Sequence, residues 1–127
     1  MRIEATYFDG WTERLLSWKL EINDGKAYLE ADWFRNRSPF RAKFRFDEAS
    51  FRLAIPSISG MAEEYCPPWE DFDDRVLVVT DGETTIRHHV YAAGILAKEH
   101  PEIHRFLAVW QLLEAAVLVH LPASLRG

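Results

Sequence analysis

The sequence is poor in the residues that build covalent or metal cross-links. Its 127 residues contain a single cysteine, Cys66, so no disulfide can form within the chain. Cys66 also has no partner cysteines with which to ligate zinc. One unpaired thiol is consistent with a reducing compartment, and we expect the protein to be cytoplasmic.

Long apolar runs are also missing. The longest stretch, AAVLVHLPA, is far shorter than the roughly 20 residues that a membrane-spanning helix requires. The N-terminus, MRIEATYFDG, carries acids at Glu4 and Asp9 and has the pattern of neither a signal peptide nor a transit peptide. We therefore expect no membrane partner.

Positive charge and glycine-rich loops are scarce as well. The net charge of -5 argues against nucleic-acid binding, which depends on clustered Lys and Arg. The six glycines are isolated and form neither GxGxxG nor GxxxxGK[ST], so no nucleotide cofactor is predicted. A Gly-x-Ser-x-Gly nucleophile elbow is absent too. These absences favour a basic protein as the partner and no cofactor.

Alternation of apolar and polar residues dominates the first half of the chain and is typical of half-buried strands. The predicted strands there are RIEATYF, RLLSWKLEI, KAYLEADWF, FRAKFRF and FRLAI, the last of which ends at Pro56. Hairpin turns are predicted at Asn23-Asp24-Gly25 and at Asp81-Gly82-Glu83, the latter between RVLVVT and TTIRHHVY. The four consecutive apolar residues of RVLVVT predict a central strand that is covered on both faces.

The strand FRAKFRF places its aromatic rings and its basic side chains on opposite faces. If it pairs with the preceding strand so that Trp33 faces Ala42, Asp32 lies opposite Lys43 and Glu30 lies opposite Arg45. Each cross-strand pair of opposite charges contributes about 0.2–1 kcal/mol. The basic residues Arg41, Lys43 and Arg45 then form an outer face whose charge is neutralised by the acids of the neighbouring strand. A nucleic-acid platform, in which rings and charges share one surface, is disfavoured.

Helical spacing replaces the alternation from about Glu102 onward. A long helix is predicted between Pro101 and Pro122, with a shorter one at residues 92 to 99. The long helix has a second apolar face, which favours either complete burial or a homodimer through this C-terminal helix; that face comprises Val109, Leu112, Ala116 and Val119. The predicted fold is α+β, an antiparallel meander sheet of six or seven strands packed against a long C-terminal helix, as one domain over residues 1–127.

Histidine and cysteine offer no clear catalytic or metal pattern. His88 and His89 are neighbours in a strand, so one is expected to face the core and the other the solvent. No His-Glu-x-x-His motif is present, and no metal site is predicted. Cys66 lies among acids, which raise the pKa of a thiol, and is interpreted as a semi-buried structural cysteine. No catalytic residue is assigned.

The segment EEYCPPWEDFDD, residues 63–74, combines six acids with three aromatic residues and no basic residue. It lacks the ordered Asp-x-Asp-x-Asp-Gly spacing of a calcium loop. Either it is a solvated loop that Trp69 and Phe72 pin to the core, or it is a binding face whose rings anchor a basic partner. The candidate partner-binding residues are Glu63, Glu64, Tyr65, Trp69, Glu70, Asp71, Phe72, Asp73 and Asp74.

The order of elements resembles that of a class of small bacterial proteins. RVLVVTDGETTIRHHV followed by EIHRFLAVWQLLEAAVLV, in a small acidic chain with an antiparallel sheet, is similar to immunity proteins of polymorphic toxin and contact-dependent inhibition systems. The resemblance implies a cytoplasmic antitoxin that occludes the active site of a basic toxin domain, often a nuclease. It implies no catalytic residue.

Two functional hypotheses follow, beside a third possibility, a homo-oligomer with a structural or regulatory role that uses the second apolar face of the long helix. The first is a non-enzymatic protein-binding domain that presents residues 63–74 to a basic partner. The second is a small-molecule-binding or enzymatic domain with an aromatic pocket between the sheet and the last helix; its lining would be Trp18, Trp33, His88 and Trp110.

Overall fold

The computed structural model describes residues 1–125 and consists of a seven-stranded sheet with three α-helices on one face. The strands are β1 (Arg2–Phe8), β2 (Ser17–Asn23), β3 (Lys26–Asp32), β4 (Phe40–Arg45), β5 (Glu64–Tyr65), β6 (Asp74–Asp81) and β7 (Thr84–Tyr91). The helices are α1 (Glu48–Ala54), α2 (Ala93–Leu96) and α3 (Glu102–His120), with short 3-10 helices at Ile55–Ile58 and Ala123–Leu125.

The strand order is β4-β3-β2-β1-β6-β7-β5, which makes β1 the middle of the sheet. The α+β class and the antiparallel character are confirmed, but the description as a meander is wrong in part. After β4 the chain crosses from that edge, through α1, to the other side of β1, where β6 and β7 form a separate hairpin. The short strand β5 pairs with β7 in parallel, so the sheet is mixed.

The core lies between one face of the sheet and α3. Alternate residues of β1 and β2 are buried, as are the inward residues of α3; they include Ile3, Ala5, Leu20, Ile22, Phe106, Trp110 and Leu113. A row of rings crosses the interface. Trp18 stacks on Tyr7 and on Trp110 with ring-centroid distances of 5.5 and 5.4 Å, and Trp110 stacks on Phe106 at 5.9 Å.

Both predicted hairpin turns are confirmed. Asp24 and Gly25 have φ angles of 48° and 80°, and Gly82 has a φ angle of 62°. These left-handed conformations are the ones that tight hairpins demand and that Asn, Asp and Gly tolerate best. The turn chemistry therefore fixes the register of the β2–β3 and β6–β7 pairs.

The predicted strand FRLAI is instead helical, with its first four residues in α1 and Ile55 at the start of the 3-10 helix. The carboxylate of Asp47 accepts a hydrogen bond from the backbone N–H of Ala49 at 3.0 Å and caps the helix. Phe51 is the buried residue of this helix, and Arg52 pairs with Glu48 one turn earlier at 3.6 Å. Five residues are too few to separate a period of two from a helical period, and the cap decides the outcome.

The predicted register between β3 and β4 is also wrong. Ala42 lies opposite Leu29 rather than Trp33, a displacement of four residues, and Glu30 faces Arg41 instead of Arg45. The chain leaves the sheet after Asp32, because the N–H of Phe34 donates to the carbonyl of Arg14 at 2.6 Å. The connection to β4 is therefore longer than a tight hairpin. Glu30 and Arg41 form the cross-strand ion pair, at 3.4 Å.

The strand β6 is central, as predicted, but it is covered on one face only. It is hydrogen-bonded to β1 on one side and to β7 on the other. Leu77 and Val79 are buried, whereas Val76 and Val78 are only half-buried on the outer face of the sheet. The four consecutive apolar residues therefore predicted the interior position of the strand correctly, but not the covering of both its faces.

The helix α3 begins and ends close to its predicted limits. By length and by its mean hydropathy of 1.2 it is apolar enough to span a membrane, but six of its residues are buried in the core. Core helices of globular proteins share this composition. Leu112 and Val119 are 36% and 67% exposed, so the homodimer through this helix stays a prediction.

Candidate functional site

The acidic segment, residues 63–74, follows the β7 edge of the sheet and then enters β6. It begins as β5, where the carbonyl of Glu63 accepts the N–H of His89 at 2.7 Å. It ends at Asp74, the first residue of β6. Both of its ends are therefore fixed by backbone hydrogen bonds, and its middle lies above the outer face of β7.

Close backbone packing holds the middle of the segment. Asp71 has a φ angle of 72°, and the N–H of Phe72 donates to the hydroxyl of Tyr91 at 3.0 Å. Gly10, two residues after the end of β1, has a φ angle of 81°, and a Cβ there would lie 2.9 Å from the carbonyl carbon of Phe72. Gly10 thus allows the turn after β1 to contact the acidic segment, and it brings Trp11 beside the segment.

The aromatic residues of the segment divide into two kinds. Tyr65 packs against the core, and its hydroxyl donates to the carboxylate of Glu102 at 2.9 Å. Trp69 and Phe72 are 43% and 36% exposed and stand outside the core cluster, with their rings 6.0 Å apart. Tyr65 pins the segment to the protein, whereas Trp69 and Phe72 present their rings to solvent. Trp11, which the sequence did not single out, is 71% exposed beside them.

The six acids also divide. Asp73 pairs with the guanidinium of Arg75, and Asp74 pairs with the imidazole of His89. The other four, Glu63, Glu64, Glu70 and Asp71, are exposed and form no ion pair within residues 1–125. Desolvating these four requires no loss of an internal partner, so they are available to an external cation.

The pairing of Asp73 serves the core rather than the surface. The guanidinium of Arg75 lies over the rings of Tyr7 and Trp110, at 5.1 and 5.9 Å from their centroids. A cation over an aromatic face is attracted by the ring's quadrupole, and Asp73 balances its charge. Of the predicted partner-binding residues, Tyr65 and Asp73 are therefore part of the protein's internal structure.

Cys66, His89 and Asp74 form a linear cluster, hereafter the thiol–imidazole–carboxylate cluster. The Sγ of Cys66 is 3.3 Å from Nδ1 of His89, and Nε2 of the same ring is 2.6 Å from Oδ1 of Asp74. Cys66 is exposed, which corrects the interpretation of a semi-buried residue. His88, by contrast, is buried, and its Nδ1 lies 2.8 Å from the carbonyl of Ala62, as expected for the inward member of the pair.

Although Cys66 is exposed, partial desolvation by the surrounding segment raises the pKa of its thiol, and the carboxylates of Glu64 and Asp74 raise it further. The direction expected from the acidic sequence is confirmed, although partial desolvation is the larger cause. Because the charged thiolate is disfavoured, Cys66 carries its proton in the resting protein at neutral pH.

The cluster opens into a pocket of about 570 Å³. Its lining combines aromatic rings, carboxylates and the thiol: Trp11, Cys66, Pro67, Trp69, Glu70, Asp71, Asp74, His89 and Tyr91. Cys66 and Asp74 contact opposite nitrogens of His89, so the three side chains do not converge on one point. Within residues 1–125 no group of three or more His, Cys, Asp or Glu is arranged to hold a metal ion.

The residues of the alternative pocket between sheet and helix are packed. Trp18 and Trp110 are 3% and 0% exposed and stack on each other, and Trp33 is half-buried against the core. This packing favours the interpretation of these rings as core residues.

Positive charge is gathered at the opposite edge of the sheet. The outer faces of β3 and β4 carry Lys26, Arg41, Lys43 and Arg45, all exposed. Five strand spacings separate β4 from β7 in the sheet order, which is roughly 24 Å. That distance is several times the screening length of about 8 Å at physiological ionic strength. The basic edge therefore leaves the field of the acidic segment largely intact.

Comparison with known proteins assigns no family to this arrangement. No protein-family model matches the chain, and no curated protein matches its sequence. The geometry of the acidic pocket is the basis for the proposals below.

Proposed function

We propose that the protein binds a basic protein partner through the acidic pocket and the rings around it. The observation that carries the proposal is the exposure of Trp11 and Trp69 beside Glu70 and Asp71, which have no ion-pair partner within residues 1–125. A structural loop would direct large rings into the core and neutralise its acids. A binding face leaves both available.

Rings and acids would contribute in different ways. Desolvated Trp side chains are the commonest energetic anchors of protein interfaces, because they bury a large apolar area in a fixed shape. Carboxylates around them attract a cationic surface and raise the association rate, an effect that salt weakens. We therefore expect a salt-sensitive interaction in which Trp69 determines how long the partner stays bound.

The resemblance to bacterial immunity proteins suggests the class of partner. A toxin domain that acts on phosphate-containing substrates has a cationic active-site cleft, and an acidic surface with protruding rings is complementary to such a cleft. In this proposal the acids Glu63, Glu64, Glu70 and Asp71 face the cationic residues of the toxin, and Trp69 and Phe72 enter its cleft.

Charge reversal in the pocket is expected to abolish most of the binding. Glu70→Lys changes the local charge by two units where the partner is most cationic, and we expect at least a tenfold loss of affinity, equivalent to about 1.4 kcal/mol. The matched control is Glu83→Lys, the same exposed residue type at the far end of the β6–β7 hairpin. The measurement is parallel capture from a lysate of the source organism at low salt, with quantitative mass spectrometry of the salt eluates.

The informative signal is a differential one. The proposal requires a protein that wild type and Glu83→Lys retain and that Glu70→Lys and Trp69→Ala lose. Retention of the same proteins in the same amounts by all four chains would contradict it. Thermal melts of the four chains test whether each variant is folded. We expect all four to be folded, because both pocket substitutions are at exposed positions.

A further inference from the structure

The thiol–imidazole–carboxylate cluster has the order of groups that activates a nucleophile. A nucleophile is recognised structurally when its side chain lies within hydrogen-bond reach of a base and a third group orients that base. Sγ of Cys66 is 3.3 Å from His89, His89 is 2.6 Å from Asp74, and all three line the pocket. We propose that Cys66 is a nucleophile that accepts acyl groups from small cationic esters or thioesters, with His89 as the general base.

The carboxylate of Asp74 fixes the ring of His89 in the form that a general base needs. A carboxylate accepts hydrogen bonds, so the proton of the neutral ring lies on Nε2, which faces Oδ1 of Asp74. The lone pair of Nδ1 then faces the thiol of Cys66. Asp74 is a positioning residue, because it acts on the thiol only through His89.

The reaction is balanced without any further reagent except water. The lone pair of Sγ forms a bond to the carbonyl carbon while the thiol proton moves to Nδ1 of His89. When the tetrahedral intermediate collapses, the bond to the leaving alcohol or thiol breaks, and His89 returns the proton to that leaving group. The acyl group now rests on Cys66 as a thioester. Water that gives a proton to His89 can hydrolyse it, which releases the acid and restores the thiol.

A resting thiol that carries its proton fits this sequence of steps. A preformed thiolate would be disfavoured by Glu64 and Asp74 around it. General-base assistance avoids that cost, because the proton leaves the sulfur only as the new bond forms. The acidic surroundings thus accord with a neutral thiol in the resting site.

The lining of the pocket indicates a cationic substrate. The rings of Trp11, Trp69 and Tyr91 lie around the pocket together with the carboxylates of Glu70 and Asp71. Aromatic faces with nearby acids bind ammonium groups through cation–π attraction and charge. A volume of about 570 Å³ is in the range of small-molecule sites. The activity does not depend on the proposed protein partner, since it requires only the pocket.

The test uses acetylthiocholine as the cationic acyl donor and S-ethyl thioacetate as its neutral counterpart. Cys66 is the sole cysteine, so acetylation that maps to a cysteine reports on this site alone. We expect release of thiocholine, measured by chromatography, to be at least tenfold faster with the wild type than with His89→Gln. Cys66→Ala gives the background rate. The cationic donor should react at least tenfold faster than the neutral donor, and Glu70→Gln should reduce that preference.

The role of Asp74 has its own readout. In the wild type, ¹⁵N resonances of the His89 ring are expected to show the proton on Nε2, and Asp74→Asn should transfer it partly to Nδ1 and slow acetylation. Thermal melts exclude unfolded variants. The inference is overturned if His89→Gln reacts at the wild-type rate, or if the folded protein reacts no faster than the same chain in denaturant. Equal rates with both donors would overturn the cationic substrate class.

Discussion

Replacement of Trp110 by alanine is expected to lower the free energy of unfolding by about 3–5 kcal/mol, the usual cost of deleting a buried Trp side chain. Trp110 is fully buried on α3 and lies between the rings of Trp18 and Phe106. Its removal also leaves the guanidinium of Arg75 without one of its two aromatic contacts. Such a loss is a large part of the roughly 5–15 kcal/mol by which a typical domain is stable.

The measurement is urea unfolding at neutral pH, with two comparison variants. Leu112→Ala lies on the same helix at a side chain that is 36% exposed, and we expect it to cost much less. Trp110→Phe retains a ring but removes the indole N–H, which is buried and has no hydrogen-bond acceptor within residues 1–125. It should therefore cost less than alanine does. Similar losses for Trp110→Ala and Leu112→Ala would contradict the described packing.

Acid is expected to weaken the protein through Asp9, a buried carboxylate at the end of β1. Asp9 accepts hydrogen bonds from the hydroxyls of Tyr7 at 2.8 Å and Thr12 at 2.5 Å, and from the guanidinium of Arg14 at 2.6 Å. Arg14 also donates to the carbonyl of Leu125 at 2.9 Å. One carboxylate thus ties β1, the following turn and the end of the described chain together.

Burial by itself raises the pKa of Asp9, but the hydrogen bonds from Arg14, Thr12 and Tyr7 outweigh it and lower the pKa from 3.8 to about 2. A carboxyl group with a lowered folded-state pKa stabilises the fold above its unfolded pKa. That contribution, about 2 kcal/mol, is present at pH 5 and above and is lost as the pH falls from about 4 toward 2.

Urea unfolding between pH 6 and pH 2 is the corresponding measurement. The stability difference between the wild type and Asp9→Asn is expected to shrink by about 2 kcal/mol across this range, because the amide does not titrate. Other carboxylates affect both chains alike, so the comparison isolates Asp9. A difference that stays constant with pH would show that Asp9 is not held in its charged form by these partners.

Much of the sheet follows from local pattern. β1 coincides with the predicted RIEATYF, and both hairpins form at the predicted Asp-Gly turns. The errors fall where a short segment has no clear period of its own or where a tertiary contact sets the register. The segment FRLAI has no unambiguous period and becomes helical because Asp47 caps it. The register of β4 depends on the bond between Phe34 and Arg14, residues that no local pattern connects.

The candidate site was predictable only in part. Composition alone drew attention to residues 63–74, but it could not separate Tyr65, which packs inward, from Trp69, which stays exposed. The contribution of Trp11 to the site could not be predicted from local sequence. Trp11 lies at the pocket because Gly10 packs closely against the acidic segment.

Two of the three members of the thiol–imidazole–carboxylate cluster were accessible from the sequence. With the turn at Asp81-Gly82-Glu83 as predicted, Asp74 and His89 fall on the same outer face of neighbouring strands. Cys66 was not accessible. It is brought to His89 by β5, a strand of two residues that pairs in parallel and is too short to show alternation.

The most direct test of the binding proposal is the salt dependence of affinity for a protein recovered by differential capture. Titration calorimetry would compare the wild type, Glu70→Lys and Glu83→Lys over a range of salt concentrations. We expect wild type and Glu83→Lys to weaken steeply as salt rises, and Glu70→Lys to bind at least tenfold more weakly at low salt with a shallower dependence. If all three chains bound with the same affinity and the same salt dependence, the acidic pocket would not be the binding face.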